Sequence, residues 1–376
     1  MEIAKSDEIQ DIHELQEDQW EERTLNLLAD SKIDQEFSAA KSQKRGRRKH
    51  SLKWMRTPMA IPEVILELQE EKLRETALRC LSTFLIERRE EDPENYYRTG
   101  FLLYHSCGTM AILVQVSAKT SFTHHVCILF IRKPKKEIRE VVCSLKQEMV
   151  AFFQKMTDGS LNIRSSKRLA NVITLLQSIA ANHETRWKLV KSRVPNFLVP
   201  LILFQSPLEV FHNVRAVALS VIGILCQTRD RKVIKWAIES NMVGICQISI
   251  KNGNELSKVI GMHILEAILQ DWSGICYICS PRNNHLLGLM ETWDNLVALL
   301  AVYQDFSPRL LFHIIRCYVL LCNHMRGFNI VMAKLPKPLL DGSFQDMLEE
   351  FPVIRSLLHH LLLTIGNAEN CFLTTP

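Results

Sequence analysis

Two cysteines three positions apart, Cys276 and Cys279, are the residues of this 376-residue chain whose types and spacing most invite a chemical reading. A C-x-x-C pair holds zinc when a second Cys or His pair completes four ligands, and exchanges disulfides when a βαβ unit presents it. No second pair lies at finger-like spacing and no strand-rich context surrounds this one, so both are read as buried or half-buried helical thiols. The 13 histidines are read as unclustered. His124-His125 and His359-His360 are adjacent pairs, and neighbouring helix positions point about 100° apart, a poor chelate. No phosphate-cradling glycine loop, nucleophile elbow or H-E-x-x-H helix occurs. No catalytic, cofactor-binding or metal-ligating set emerges, and a self-contained enzyme is the weakest class of function for this chain.

Charge gives a second candidate chemistry. From Phe37 to Pro62 there is no acid but eight basic residues, centred on Lys44, Arg45, Arg47, Arg48 and Lys49. Such a run suits a nuclear import signal, or a phosphate-binding arm acting through counterion release. It follows residues 1–36, which carry twelve acids against three basic residues. Residues 1–61 therefore read as a flexible tail, acidic and then basic. The whole chain is only mildly basic, with a formal charge of +5, too little to declare a nucleic-acid protein by itself.

The elements that would position these residues are helices. Gly and Pro number 13 each and the apolar share is 47%, which argues against sandwiches, barrels and Pro-rich disorder. The 11 cysteines follow no disulfide framework and no signal-peptide pattern precedes them, so reduced thiols in cytosol or nucleus are expected. No apolar run is long enough to span a membrane. From Pro62 onward apolar residues recur at 3- and 4-residue steps, predicting helices over 63–88, 165–182, 184–193, 195–205, 209–227, 230–240, 242–251, 255–270, 294–303, 308–322 and 353–365. Trp187, Trp236 and Trp272 fall within this helical region and are read as core. Short helices precede longer apolar ones at a spacing of about 40–50 residues, the period of armadillo or HEAT repeats. The fold class expected is all-α, an armadillo-like superhelix whose long helices line a groove.

The strings Tyr104-His105-Ser106-Cys107-Gly108-Thr109, Asn182-His183-Glu184-Thr185-Arg186, Val221-Ile222-Gly223, Asn254-Glu255-Leu256-Ser257-Lys258, Tyr277-Ile278-Cys279, Arg309-Leu310-Leu311 and Arg316-Cys317-Tyr318 occur in that order. In these the chain resembles, over residues 63–366, the Rcd (required for cell differentiation) family, also called Caf-forty. That family is the armadillo-repeat subunit of the Ccr–Not deadenylase complex. The resemblance implies a non-catalytic module of about six repeats in cytoplasm and nucleus. Such a module binds the large Not scaffold subunit and peptide motifs of RNA-binding regulators, supporting messenger RNA deadenylation and decay and translational or transcriptional control. It further implies a peptide groove at Asn213, Ser220 and Ile260, and pockets for partner Trp side chains at Leu256, Arg282, Asn284 and Arg326. This chain reads as a diverged member, since Asn213 replaces an aromatic residue, Ser220 a glycine, and Arg282 and Asn284 a Tyr and an Arg.

The alternative is direct binding of single-stranded nucleic acid through the basic arm together with Arg215, Lys258, Arg309 and Arg316. A homodimer is a further assembly to test, and no membrane partner is expected. Residues 62–366 are taken as one domain and 367–376 as a C-terminal tail. Within the domain, 116–147 departs from the pattern. Leu113-Val114-Gln115 would join Glu148-Met149-Val150 as one helix, and the 32 residues between them read as an insertion or a translated intron.

Overall fold

The structure, a computed structural model, describes residues 61–68, 70, 72–87, 92–106, 163–204, 209–302 and 307–373. Residues 1–60 of the charged tail, Lys44 to Lys49 among them, and the 116–147 segment lie outside the described residues, while Ile61 belongs to the first helix. The described residues form sixteen α-helices and two short 3₁₀ helices, with no strand among them. In chain order the helices are α1 (Ile61–Glu67), α2 (Arg74–Glu87), α3 (Pro93–His105), α4 (Ile163–Ala181), α5 (His183–Lys191), α6 (Leu198–Leu203), α7 (Glu209–Gln227) and α8 (Arg231–Glu239). They continue with α9 (Met242–Asn252), α10 (Glu255–Gln270), α11 (Trp272–Ile278), α12 (His285–Val302), α13 (Pro308–Leu321), α14 (Met325–Lys334), α15 (Gln345–Glu350) and α16 (Pro352–Leu373).

Packing follows every third helix. The long helices α4, α7, α10, α13 and α16 pack side by side in a ladder. They begin at residues 163, 209, 255, 308 and 352, steps that match an armadillo-type period. A second row runs α5, α8 and α11, and a third runs α6, α9 and α12. Each unit of three is thus a short helix, a middle helix and a long one, and no unit could bury its apolar faces alone. The core is continuous through the stack, from Ile65 and Leu81 to Ile354 and Leu361.

Local chemistry sets the boundaries. The Asn182 side chain accepts from the backbone N–H of Glu184 and Thr185, Asp230 from Lys232, Asn254 from Ser257, Asp271 from Ser273, and Ser307 from Leu310. Each satisfies donors that a helix start leaves orphaned. The corner between a long helix and the next short one is tight and repeats. The third residue of the short helix meets a carbonyl six residues earlier. Thr185 donates its hydroxyl to Ile179 O at 2.7 Å. At Gly274 and Gly327 there is room for no side chain, because a Cβ would lie 1.9 Å from Ile268 O and 2.3 Å from Leu321 O.

Several expectations are corrected. The segment 63–88 is two helices, broken between Glu67 and Arg74, where the Arg74 guanidinium caps Leu68 O. Helix α12 begins at His285 rather than 294, and α3, α11, α14 and α15 fall outside the segments that periodicity predicts. The final helix passes residue 366 and ends at Leu373. Trp272 is 67% exposed and Trp187 also stands at the surface, so neither is core. Trp236 is half-buried and donates to Asn196 Oδ1. Among the described residues the fully buried tryptophan is Trp293, packed edge-to-face on Tyr318. No helix of the described residues is long and apolar enough to cross a membrane.

Candidate functional site

Each long helix packs on its long neighbours and on short or middle helices. Among the described residues, a line of residual exposure along the long helices marks the open face of the ladder. On α10, nearly all of whose residues are buried, the line with residual exposure is Val259, His263, Glu266 and Gln270. Their 4-3-4 spacing keeps them on one face of a helix. The matching line on α13 is Arg309, Phe312 and Arg316, and on α7 it holds Val217 and Ser220.

Polar side chains bridge the seams of this face. Between α4 and α7, Gln177 Nε2 donates to Ser220 Oγ, which itself donates to Val217 O at 2.8 Å. Between α10 and α13, His313 Nδ1 donates to Glu266 Oε2 at 2.7 Å, and Arg316 Nε donates to Glu266 Oε1 at 2.7 Å. The His263 ring lies edge-on to His313, centroids 5.8 Å apart. Burial alone would raise the Glu266 pKa. The hydrogen bond from His313 and the charges of His313, Arg316 and His263 outweigh it and hold the group at about 2. Burial, with His313, Arg229 and Arg316 nearby, takes His263 down to about 4 against the opposing pull of Glu266, so its imidazole is neutral at pH 7.

This cluster overturns the reading that the histidines stand apart. His263 and His313 are separated by 50 positions in the chain and meet because α10 and α13 are adjacent long helices. The signal within the sequence was His263-x-x-Glu266, one helical turn on a single face. Among the described residues these three form the one group of three or more side chains able to share a metal ion. Cys276 and Cys279 gain no such company. Cys279 is buried beside Gly327, and burial pushes its thiol up to about 11 despite the charge of Arg326.

Of the three groove positions, Ile260 stands apart from the other two. Asn213 and Ser220 lie two turns apart on α7. Ile260 is 1% exposed and turns into the α7–α10 seam, with its Cγ2 3.5 Å from the point where a Cβ on Gly223 would sit. The pocket positions also separate. Asn284 lines an open cleft of about 810 Å³ with Leu287, Glu291, Lys334 and Pro336, while Leu256, Arg282 and Arg326 are not part of its lining. Leu256 packs on the core. Arg282 is exposed. Arg326 Nη1 donates to Cys279 O at 3.0 Å, tying α14 to the end of α11.

The four basic residues read as nucleic-acid contacts divide in the same way. Arg215 is buried, its Nη2 donating to Phe204 O at 2.6 Å, and Arg316 is held by Glu266. Guanidiniums committed in this way are poor phosphate ligands. Lys258 is half-exposed and Arg309 exposed.

Comparison with known proteins converges on one family. The profile described as "Cell differentiation family, Rcd1-like" matches residues 136–365. Its start falls inside the 116–147 segment, and α1 to α3 precede it. The chain is 30% identical over 227 residues to the cell differentiation protein rcd1 of Schizosaccharomyces pombe, covering 60% of this chain and 79% of that protein. It is 30% identical over 226 residues to protein CAF40 of Saccharomyces cerevisiae, covering 60% of each. A crystal structure of an engineered protein superposes with a TM-score of 0.51 at 11% identity, over 82% of this chain and 99% of that one, a likeness of fold alone.

Proposed function

The chain belongs to the Rcd1-like cell differentiation family, and from that premise we propose that it is a non-catalytic adaptor subunit of the Ccr–Not complex. In this reading residues 62–366 act as one armadillo-like unit that binds the large Not scaffold and peptide motifs of RNA-binding regulators. The outcome is support for messenger RNA deadenylation and decay in cytoplasm and nucleus. The observation that carries the reading is the ladder. Five long helices set side by side leave one continuous face, a surface suited to an extended or helical peptide.

On that face the peptide groove runs over Val217, Ser220 and Val259, with Asn213 at its α7 end and Ile260 buried as its floor. The lack of an aromatic at Asn213 removes a stacking surface worth on the order of 1–3 kcal/mol in a buried anchor. Family peptides that rely on it bind this chain weakly. The cleft at Asn284 and Lys334 takes a partner side chain on the outer surface.

The test is co-purification of the full chain, and of the chain lacking 116–147, with the large Not scaffold. Recovery of the scaffold with both forms is the expected result, and recovery with neither refutes the reading. Direct nucleic-acid binding is the competing outcome. It gives steeply salt-dependent capture of single-stranded RNA that is lost on deleting 41–56. Sedimentation of the purified chain decides the homodimer.

A further inference from the structure

One cluster on the open face is not used by the adaptor reading. His263 and Glu266 stand one turn apart on α10, and His313 faces them from α13. The atoms they offer lie within 4.8 Å of one another. His313 and Glu266 are already paired at 2.7 Å. His263 is different. It is about nine-tenths buried, and among the described residues its ring meets His313 edge-on with no hydrogen bond to either nitrogen. A largely buried imidazole beside a histidine–carboxylate pair, with no protein group hydrogen-bonded to its ring, is free to serve as a third ligand.

We infer that His263, Glu266 and His313 form a binding site for one divalent transition-metal ion of the zinc class. Two imidazoles and one carboxylate are the donors that borderline ions prefer, whereas calcium and magnesium call for oxygen-rich sets. The ion takes the place of the proton between His313 Nδ1 and Glu266 Oε2, and that proton leaves to solvent. Arg316 keeps its bond to the other carboxylate oxygen, Oε1. It then acts as the outer partner that fixes the ligand's orientation. The positive charge of Arg316 keeps affinity below that of a dedicated structural zinc site. Three protein donors leave a fourth position, and because the cluster lies on the line of α10 that keeps residual exposure, a water or a partner's side chain can fill it. The site would also clamp α10 to α13 across a repeat seam.

The inference is independent of Ccr–Not membership. Its test uses the full chain, stripped with chelator and titrated with Co²⁺ as a spectroscopic stand-in for Zn²⁺. Because the chain has 11 cysteines, the titration is repeated in a Cys276→Ser/Cys279→Ser variant. The expected result is one Co²⁺ per chain with visible ligand-field bands of nitrogen and oxygen donors, unchanged by the serine substitutions. His263→Phe and Glu266→Gln each weaken binding by about tenfold or more, and zinc raises the melting temperature of the parent but not of either variant. Two variants are used so that a folding defect in one leaves the other informative. Near-ultraviolet thiolate bands, equal affinity in parent and both variants, or no stoichiometric uptake by the parent would each overturn the inference.

Discussion

Replacing Glu266 with alanine in the metal-free chain isolates what holds the α10–α13 seam together. The carboxylate is 10% exposed, His313 4% and Arg316 13%. Both contacts are charge-assisted hydrogen bonds at 2.7 Å, the short and strong kind. Removing one partner of a buried ionic pair costs about 3–5 kcal/mol, because the remaining groups stay buried without a counter-charge. Here the lower end applies. Arg316 has enough exposure to swing its head into solvent, which leaves His313 as the group that cannot escape. Glu266→Ala should therefore destabilise by about 3 kcal/mol. Glu266→Gln, which keeps an acceptor but not the charge, should lose roughly 1–2 kcal/mol. In a Glu266→Met/His313→Met double variant the losses of the two single variants should not add, since removing both partners also removes the group left unpaired. Urea unfolding followed by far-ultraviolet circular dichroism in chelator reads these proteins together with the two single Met variants. A Glu266→Ala protein within about 0.5 kcal/mol of the parent would show that the cluster is a surface decoration, and the reasoning would fail.

Three further outcomes follow from the packing. Gly274→Ala should destabilise by about 1–3 kcal/mol through overpacking against Ile268 O, despite the better helix propensity of alanine; thermal melting checks it. Tyr318→Phe should be neutral or slightly stabilising, because the Tyr318 hydroxyl is buried with no hydrogen-bond partner among the described residues; a loss above about 1 kcal/mol in urea unfolding would contradict this. Cys226 should resist alkylation at pH 8, since burial pushes its thiol up to about 12 and the reactive thiolate is then about one part in ten thousand. Mass-mapped labelling of native against urea-unfolded protein reads the contrast.

Much of the ladder is legible in the residues because its long helices advertise themselves. Ile173, Leu176 and Ile179 on α4, or Leu219, Ile222 and Leu225 on α7, repeat at helical steps and are buried where that pattern says. The short helices were harder. Trp272–Ile278 has seven residues, too few for periodicity to register, and its start is marked only by the Asp271 cap. Trp272 misled for a related reason. A large apolar side chain is core by default, but as the first residue of its helix Trp272 stands at a corner, beside the His324 ring and otherwise facing outward. The site was legible only in part. Composition and spacing show that His263 and Glu266 share a face, but not that His313, fifty residues on, is opposite them. That depends on which long helix packs on which, a fact of tertiary structure with no local signature.

The seam residues connect stability to recognition. In a stacked repeat, total stability is the sum of units and of the interfaces between them. On the open face those interfaces are partly polar: Gln177 with Ser220 on one seam, Glu266 with His313 and Arg316 on another. A partner that drew its hydrogen bonds from these groups would have to break a seam to make a contact, and the exchange would be close to neutral. Binding energy on this face must therefore come from groups outside the seam pairs, such as the half-buried Val217, or from a ligand that replaces a seam hydrogen bond with a bridge of its own. A metal ion bridging Glu266 and His313 is of the second kind, which is why the same three residues can stiffen the ladder and still present a point of attachment.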